Sequence, residues 1–174
     1  MTDTTLSQAL KEAYASAPAN TVIYHTLEFR HSAFSQPIRV VKDFVNLTAA
    51  LEATAPLDPS AAVTFVAFVF DLTKPEVSPN NVPQITISID NVGREIISNI
   101  EAAMASTELV QVTYREFLST DLSAPQNNPP LTMTVMAITA DVFKLTATAG
   151  FPDLMNRKFP TTEYDPQIFA GLLP

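Results

Sequence analysis

QITISIDNVGREIISNIEAAMASTELVQVTYREFL, running from Gln84 to Leu118, is the stretch on which the fold turns. Its first seven residues alternate strictly, Ile85, Ile87 and Ile89 against Thr86, Ser88 and Asp90, which is the period of a strand with one buried face. Asp90 or Asn91 then supplies a helix cap. Val92, Ile96, Ile97, Ile100 and Met104 recur on one face through about Ser106, predicting an amphipathic helix near Gly93 to Ser106 packed on a sheet through Ile96, Ile97 and Ile100. Leu109 to Leu118 (LVQVTYREFL) returns to β-branched and aromatic residues and predicts a further strand.

Working outward, Leu131 to Ile138 (LTMTVMAI) and Asp141 to Thr148 (DVFKLTAT) are strand-like and so closely spaced that they predict a hairpin. On the N-terminal side, Val63 to Phe70 (VTFVAFVF) is apolar at both parities, the pattern of a central strand covered on each face. Thr21 to Phe29 and Ile38 to Phe44 predict another hairpin. Val45 to Ala62 is ambiguous between helix and loop and is left unassigned. Ahead of these, Thr5 as cap, Gln8 three residues later and the stripe Leu6, Leu10, Ala13, Tyr14 and Ala17 predict a helix that Pro18 stops. Two proline-rich connections remain, Asp71 to Pro83 and Ser119 to Pro130, long enough to suggest that partner subunits order them. Strands without βαβ alternation predict a mainly-β, α+β chain: an antiparallel β-sandwich or partly closed barrel with a flanking helix and an N-terminal helix. Residues 1–150 form that domain. Residues 151–174 read as an extended C-terminal docking tail, because their apolar residues follow neither period and four prolines interrupt them.

Composition narrows the function. With no cysteine in 174 residues, thiolate chemistry and cysteine metal sites are excluded. His25 and His31 are too few and too badly spaced for a two-histidine site and read as ordinary surface or half-buried residues. A net charge of −8 opposes specific nucleic-acid binding, which needs cations against phosphates. Part of that acidic excess would suit the wall of a channel through which DNA passes, with general solubility as the plainer reading. Nothing approaches a membrane span, and MTDTTLSQALKEAY lacks a signal pattern, so synthesis in the cytoplasm is expected. The carboxylate pairs weighed for acid/base hydrolysis are Asp90 with Glu95 and Glu116 with Asp121. Asp90 reads more simply as a cap, Glu95 as a first-turn residue, and Glu116 beside Arg115 as strand-edge pairing. The chain is therefore expected not to be an enzyme, with no catalytic, cofactor-binding or metal-ligating residue.

ITISIDNVGREIISNIEAAMASTELVQVTYREFLSTD, LTMTVMAITADVFKLTATAGFPDLMNRKFP, LKEAYASAPANTVIYHTLEFRH and PIRVVKDF together resemble an uncharacterised family of phage and prophage proteins, filed as a domain of unknown function and found among minor tail genes. The order of strand, Asp-Asn cap, helix, strand ending in Arg-Glu-Phe-Leu, polar loop and hairpin is also similar to the N-terminal part of the lambda-type minor tail protein L. The resemblance implies a tail-tube or tail-hub-like fold and a structural place in the virion tail, in a ring between the tail tube and the receptor-binding hub. It also implies a homo-oligomer, trimeric before hexameric, contacting tube, tip and hub proteins. Relatives of protein L carry a cysteine-ligated iron–sulfur region after this domain; the present chain has no cysteine, and no cofactor is expected. The alternative is a receptor- or carbohydrate-binding tail accessory module, which is poorly supplied with aromatics at no tryptophan and four tyrosines. The residues expected to dock on partners are Phe151, Leu154, Arg157, Lys158, Phe159, Tyr164 and Phe169, apolar anchors around the adjacent Arg157–Lys158 pair.

Overall fold

The computed structural model describes residues 5–73, 84–90, 103, 106, 108–140 and 144–151. They contain a helix α1 (Gln8–Ser16) and strands β1 (Ile23–Arg30), β2 (Ile38–Val41), β3 (Leu47–Ala50), β4 (Ala62–Ala67), β5 (Phe70–Thr73), β6 (Gln84–Asp90), β7 (Gln111–Leu118), β8 (Leu131–Ala140) and β9 (Lys144–Gly150). The chain is mainly β with one described helix, and its strands form a single open sheet of nine in the order β3-β4-β2-β1-β7-β8-β9-β6-β5. All ladders are antiparallel except β2 with β4, which meet in parallel at Val40↔Val66 and Val41↔Ala67. Both expected hairpins form, β1 with β2 and β8 with β9.

The spine is the ladder between β1 and β7, paired from Ile23↔Leu118 to Arg30↔Gln111. Because side chains alternate across a strand, this ladder sorts its residues into two faces. His25, Leu27 and Phe29 share one face with Tyr114, Glu116 and Val112; Thr26, Glu28 and Arg30 share the other with Thr113, Arg115 and Phe117.

The first face looks into the larger apolar core, where Leu27, Phe29 and Val40 meet Phe70, Ile87, Ile89, Met133 and Leu145. Strands so far apart in ladder order can share a core only if the sheet curls. The connection from β4 to β5 requires the same thing. These strands stand second and ninth in the sheet, yet only Phe68 and Val69 separate them. Two residues reach about 10 Å, whereas seven flat strand spacings would cover roughly 34 Å. The near edges are tied where Phe68 N donates to Val41 O at 2.9 Å and Lys42 Nζ meets Asp71 Oδ1 at 3.2 Å.

The second face is covered by the β3–β4 hairpin, whose Leu47, Ala49, Val63 and Phe65 pack on Val41 and Phe117. At one end of the first face, Leu10 and Ala13 of α1 bury against Leu118.

Several local readings change. Val63 to Phe70 is not one central strand covered on both faces. It breaks at Phe68–Val69, and in β4 only Val63 and Phe65 are buried while Thr64 and Val66 face outward. The unassigned stretch Val45 to Ala62 holds β3, held against β4 from Leu47↔Phe65 to Ala50↔Ala62. The helix cap is Ser7, whose Oγ accepts from Leu10 N at 3.1 Å, and not Thr5. Thr5 O instead accepts from Asn128 N at 2.7 Å and Ser7 N donates to Gln126 O at 2.8 Å, so the chain is pinned straight here and turns helical only afterwards. By contrast β6 buries Ile85, Ile87 and Ile89, as its alternation requires, each contributing about 1.5–3 kcal/mol of transfer free energy. The helix expected near Gly93 to Ser106 lies outside the described residues apart from Ala103 and Ser106; Ala103 is buried in the larger core.

Candidate functional site

On the second face of the sheet, charges are packed inside the fold. Glu28 of β1 and Arg115 of β7 are fully buried. Arg115 grips Glu52, from the segment after β3, through two hydrogen bonds, Nε to Oε2 at 2.7 Å and Nη2 to Oε1 at 2.8 Å. Arg39 of β2 donates from Nε to Glu28 Oε2 at 3.0 Å and from Nη2 to Asp58 Oδ2 at 2.7 Å. Arg30 places Nε 3.2 Å from Glu28 Oε1 and donates from Nη2 to Thr113 Oγ1 at 3.0 Å. Three guanidiniums thus face three carboxylates, which is how buried charge is tolerated. The match is imperfect, since Glu28 Oε1, Arg30 Nε and Arg115 Nη1 lie within ion-pair distance but have no aligned hydrogen bond.

Burial pushes the pKa of Arg30 down, with Glu28 opposing. Burial acts the same way on Arg39, but hydrogen bonds to Asp58 and Glu28 outweigh it and raise its pKa. For Glu52 burial favours the neutral acid, yet the bonds from Arg115 prevail and hold its carboxyl below the ordinary value.

A second polar group lies on the opposite face, between the sheet and α1. Glu116 Oε1 accepts from Tyr14 Oη at 2.7 Å and, in a shorter bond, from Tyr114 Oη. His25 Nδ1 lies 2.7 Å from Tyr114 Oη and 3.6 Å from Glu116 Oε1. Burial, reinforced by Glu116, raises the Tyr114 pKa far above that of a free phenol, so its proton stays to donate to Glu116. The Tyr114 oxygen then accepts from His25 only if the imidazole proton sits on Nδ1.

Glu116 and Arg115 accordingly do not form the expected strand-edge pair. β7 is the middle strand of nine, and neighbouring residues on a strand point to opposite faces, so each belongs to a different network. The carboxylates of Glu116 and Asp121 are bonded to different groups. Asp121 Oδ1 accepts from Ser123 N and Oγ, which lowers its pKa, and Oδ2 accepts from Gln126 Nε2 at 3.2 Å. Among the described residues no group of three or more acidic or histidine side chains is placed to hold a metal ion. His31 is a half-buried residue just after β1, its Nδ1 accepting from Ala33 N at 3.0 Å.

The loop 119–130 is fastened from within the chain. Asn127 Oδ1 accepts from Glu116 N at 3.0 Å, its Nδ2 donates to Tyr114 O at 3.1 Å, and Gln126 N donates to Glu116 O at 2.8 Å. β8 pairs with β7 only from Gln111 to Tyr114, so this loop takes the place of a strand beside the rest of β7.

The surface offers the opposite of the interior. Where β2 turns toward β3 and β4 passes to β5, Phe44 is 92% exposed, Val45 70%, Val69 59% and Val66 49%. Asn46 Oδ1 accepting from Ala67 N at 2.8 Å, with the β2–β4 pairs, brings these segments together as one apolar corner. Matches to the profile of Domain of unknown function (DUF1833) run over residues 9–164. The chain belongs to the DUF1833 family. No curated protein matches it significantly.

The DUF1833 match takes in all nine strands and the expected docking residues as far as Tyr164, leaving Phe169 beyond it. Of those residues only Phe151 is described, half-buried against the larger core; Leu154, Arg157, Lys158, Phe159, Tyr164 and Phe169 lie outside the described residues. The apolar corner was missed because Val66 and Val69 sit in an unbroken apolar run that reads as buried on both sides. Phe44 and Val45 closed one strand reading and opened an ambiguous stretch.

Proposed function

We propose that this DUF1833 chain is a structural subunit of a phage-type or prophage-derived tail, working in a tip or hub ring between tail tube and receptor-binding hub by assembling with copies of itself and with neighbouring tail proteins. The observation that carries the assembly reading is the distribution of polarity: charged groups neutralise one another inside while Phe44, Val45, Val66 and Val69 stand in solvent. Apolar side chains gathered on a rim are what an assembly interface needs. The phage assignment rests on the sequence resemblance to minor tail proteins, and family membership is compatible with it. The curled sheet supports a partly closed barrel of tail-tube type, since both its edges are brought round to one side by the two-residue link from β4 to β5. The virion tail is then its location, and DNA passes through the assembly without being bound specifically by this chain.

The test is sedimentation and negative-stain imaging of the purified full chain, alone and with the products of adjacent genes. Closed rings, trimeric before hexameric, are expected. A chain that stays monomeric at every concentration and ignores its gene neighbours sinks the reading.

A further inference from the structure

We propose that residues 152–174 of one copy dock on the apolar corner formed by Phe44, Val45, Val66 and Val69 of a neighbouring copy. This rests on the assembly reading above and names the surface through which it works. The corner is open in the chain that carries it, with Phe44 92% exposed. An apolar rim of this kind gains by burial, and its occupant has to bring apolar side chains without a core of their own.

The C-terminal residues match that description. Leu154, Phe159, Ile168, Phe169 and Leu172 follow neither the helical nor the strand period, so they gain most from a surface supplied by something else. The chain leaves the described fold at Phe151, after β9, which is four strands from β2 in the ladder order. The 23 residues beyond it amount to roughly 75 Å of extended chain, enough to cross to an adjacent subunit. Pro152, Pro160 and Pro166 restrict the backbone of this segment and so reduce the entropy lost on docking.

Charge agrees with shape. Asp43, half-buried, and Asp71, exposed, border the corner. Arg157 and Lys158, the one adjacent basic pair in the sequence, stand among the C-terminal apolar residues. Asp71 is already paired with Lys42 at 3.2 Å, but an ion pair so exposed is worth little and exchanges readily for another cation.

The absence of native cysteine allows a direct test with full-length chains. Phe44→Cys protein is mixed with Phe169→Cys protein carrying a mass-distinguishing tag, and the mixture is oxidised gently. The mixed disulfide should exceed by about tenfold the yield of an Asn20→Cys control with the same partner, because docking raises the local concentration of the two thiols. A yield no higher than the control overturns the proposal. So does a chain bearing both cysteines that closes only on itself, which would make its own C-terminal residues the occupant. Phe44→Cys homodimers without the mixed product would overturn it in favour of corner meeting corner. Separately, Phe44→Ser/Val69→Ser protein should melt as wild type does but lose the assembled mass in sedimentation. Full assembly by that variant removes the corner while leaving the assembly reading intact, and a wild-type chain that never associates removes both.

Discussion

Arg115 is fully buried in the middle strand, and its charge is tolerated there because Glu52 receives it through two parallel hydrogen bonds. Removing one member of such a pair leaves the other as an uncompensated charge, which costs more than the pair is worth. Arg115→Met should therefore lower unfolding free energy in urea by about 3–5 kcal/mol, leaving Glu52 without its guanidinium and Glu28 with one cation fewer. Arg115→Met/Glu52→Leu should cost less than the two single changes together, by about 1–3 kcal/mol; simple additivity would show that the two residues act separately. The same pair sets a pH dependence. Glu52 is held below its ordinary value of 4.5 in the folded chain, so its contribution is present in full above that value and is lost as pH falls through the lower, folded one. Stability measured from pH 6 downward should fall less steeply for Glu52→Gln than for wild type, and parallel curves would contradict this. Little of it could be read in the sequence. Glu28 comes from β1, Glu52 and Asp58 from the connection between β3 and β4, and adjacency in the chain suggested a pairing of Arg115 with Glu116 that alternation across a strand forbids.

At the scale of elements, a segment was legible where local pattern and tertiary setting agreed. β6 has one buried face and its isoleucines alternate; β1 and β2, like β8 and β9, are joined through short connections and pair as hairpins. β3 was not legible, because LTAA has weak strand preference and is held by its partner β4 and by Leu122 O, which accepts from Ala50 N at 2.9 Å. The loop 119–130 misled in the other direction. Its prolines and polar residues suggested a segment waiting for a partner, whereas Asn127 uses both ends of its amide to satisfy the backbone of β7. Asn127→Ala leaves Glu116 N–H and Tyr114 C=O buried without that partner, each at about 1–3 kcal/mol. The variant should melt well below wild type and exchange its Glu116 amide faster. Unchanged protection at Glu116 would show that the loop does not stand in for a strand.

Across the whole molecule, the curl of the sheet was the feature least available to sequence, since it follows from which strands β4 and β5 join and not from their composition. Once formed, it gives each of the nine described strands a hydrogen-bonded neighbour, and the apolar clusters draw on α1, the sheet and its connecting loops. Among the described residues, Phe151 is the last that packs on that core. A chain ending at Phe151 keeps every described ladder, so it should remain soluble and melt in a single transition. Its melting temperature should lie within about 4 °C of wild type, the shift that roughly 1 kcal/mol produces in a domain of this size. The same truncation removes the segment proposed to reach a neighbour, and its sedimentation should be that of a monomer under conditions where the full chain assembles. The two measurements separate two roles for residues 152–174. A fall of more than about 10 °C would mean that they cover their own sheet, because several kcal/mol of native burial would then have gone. Unchanged melting with unchanged assembly would mean that they hold neither the fold nor the ring. Lost assembly at an unchanged melting temperature is the expected outcome, since it assigns the sheet to folding and the C-terminal residues to partners.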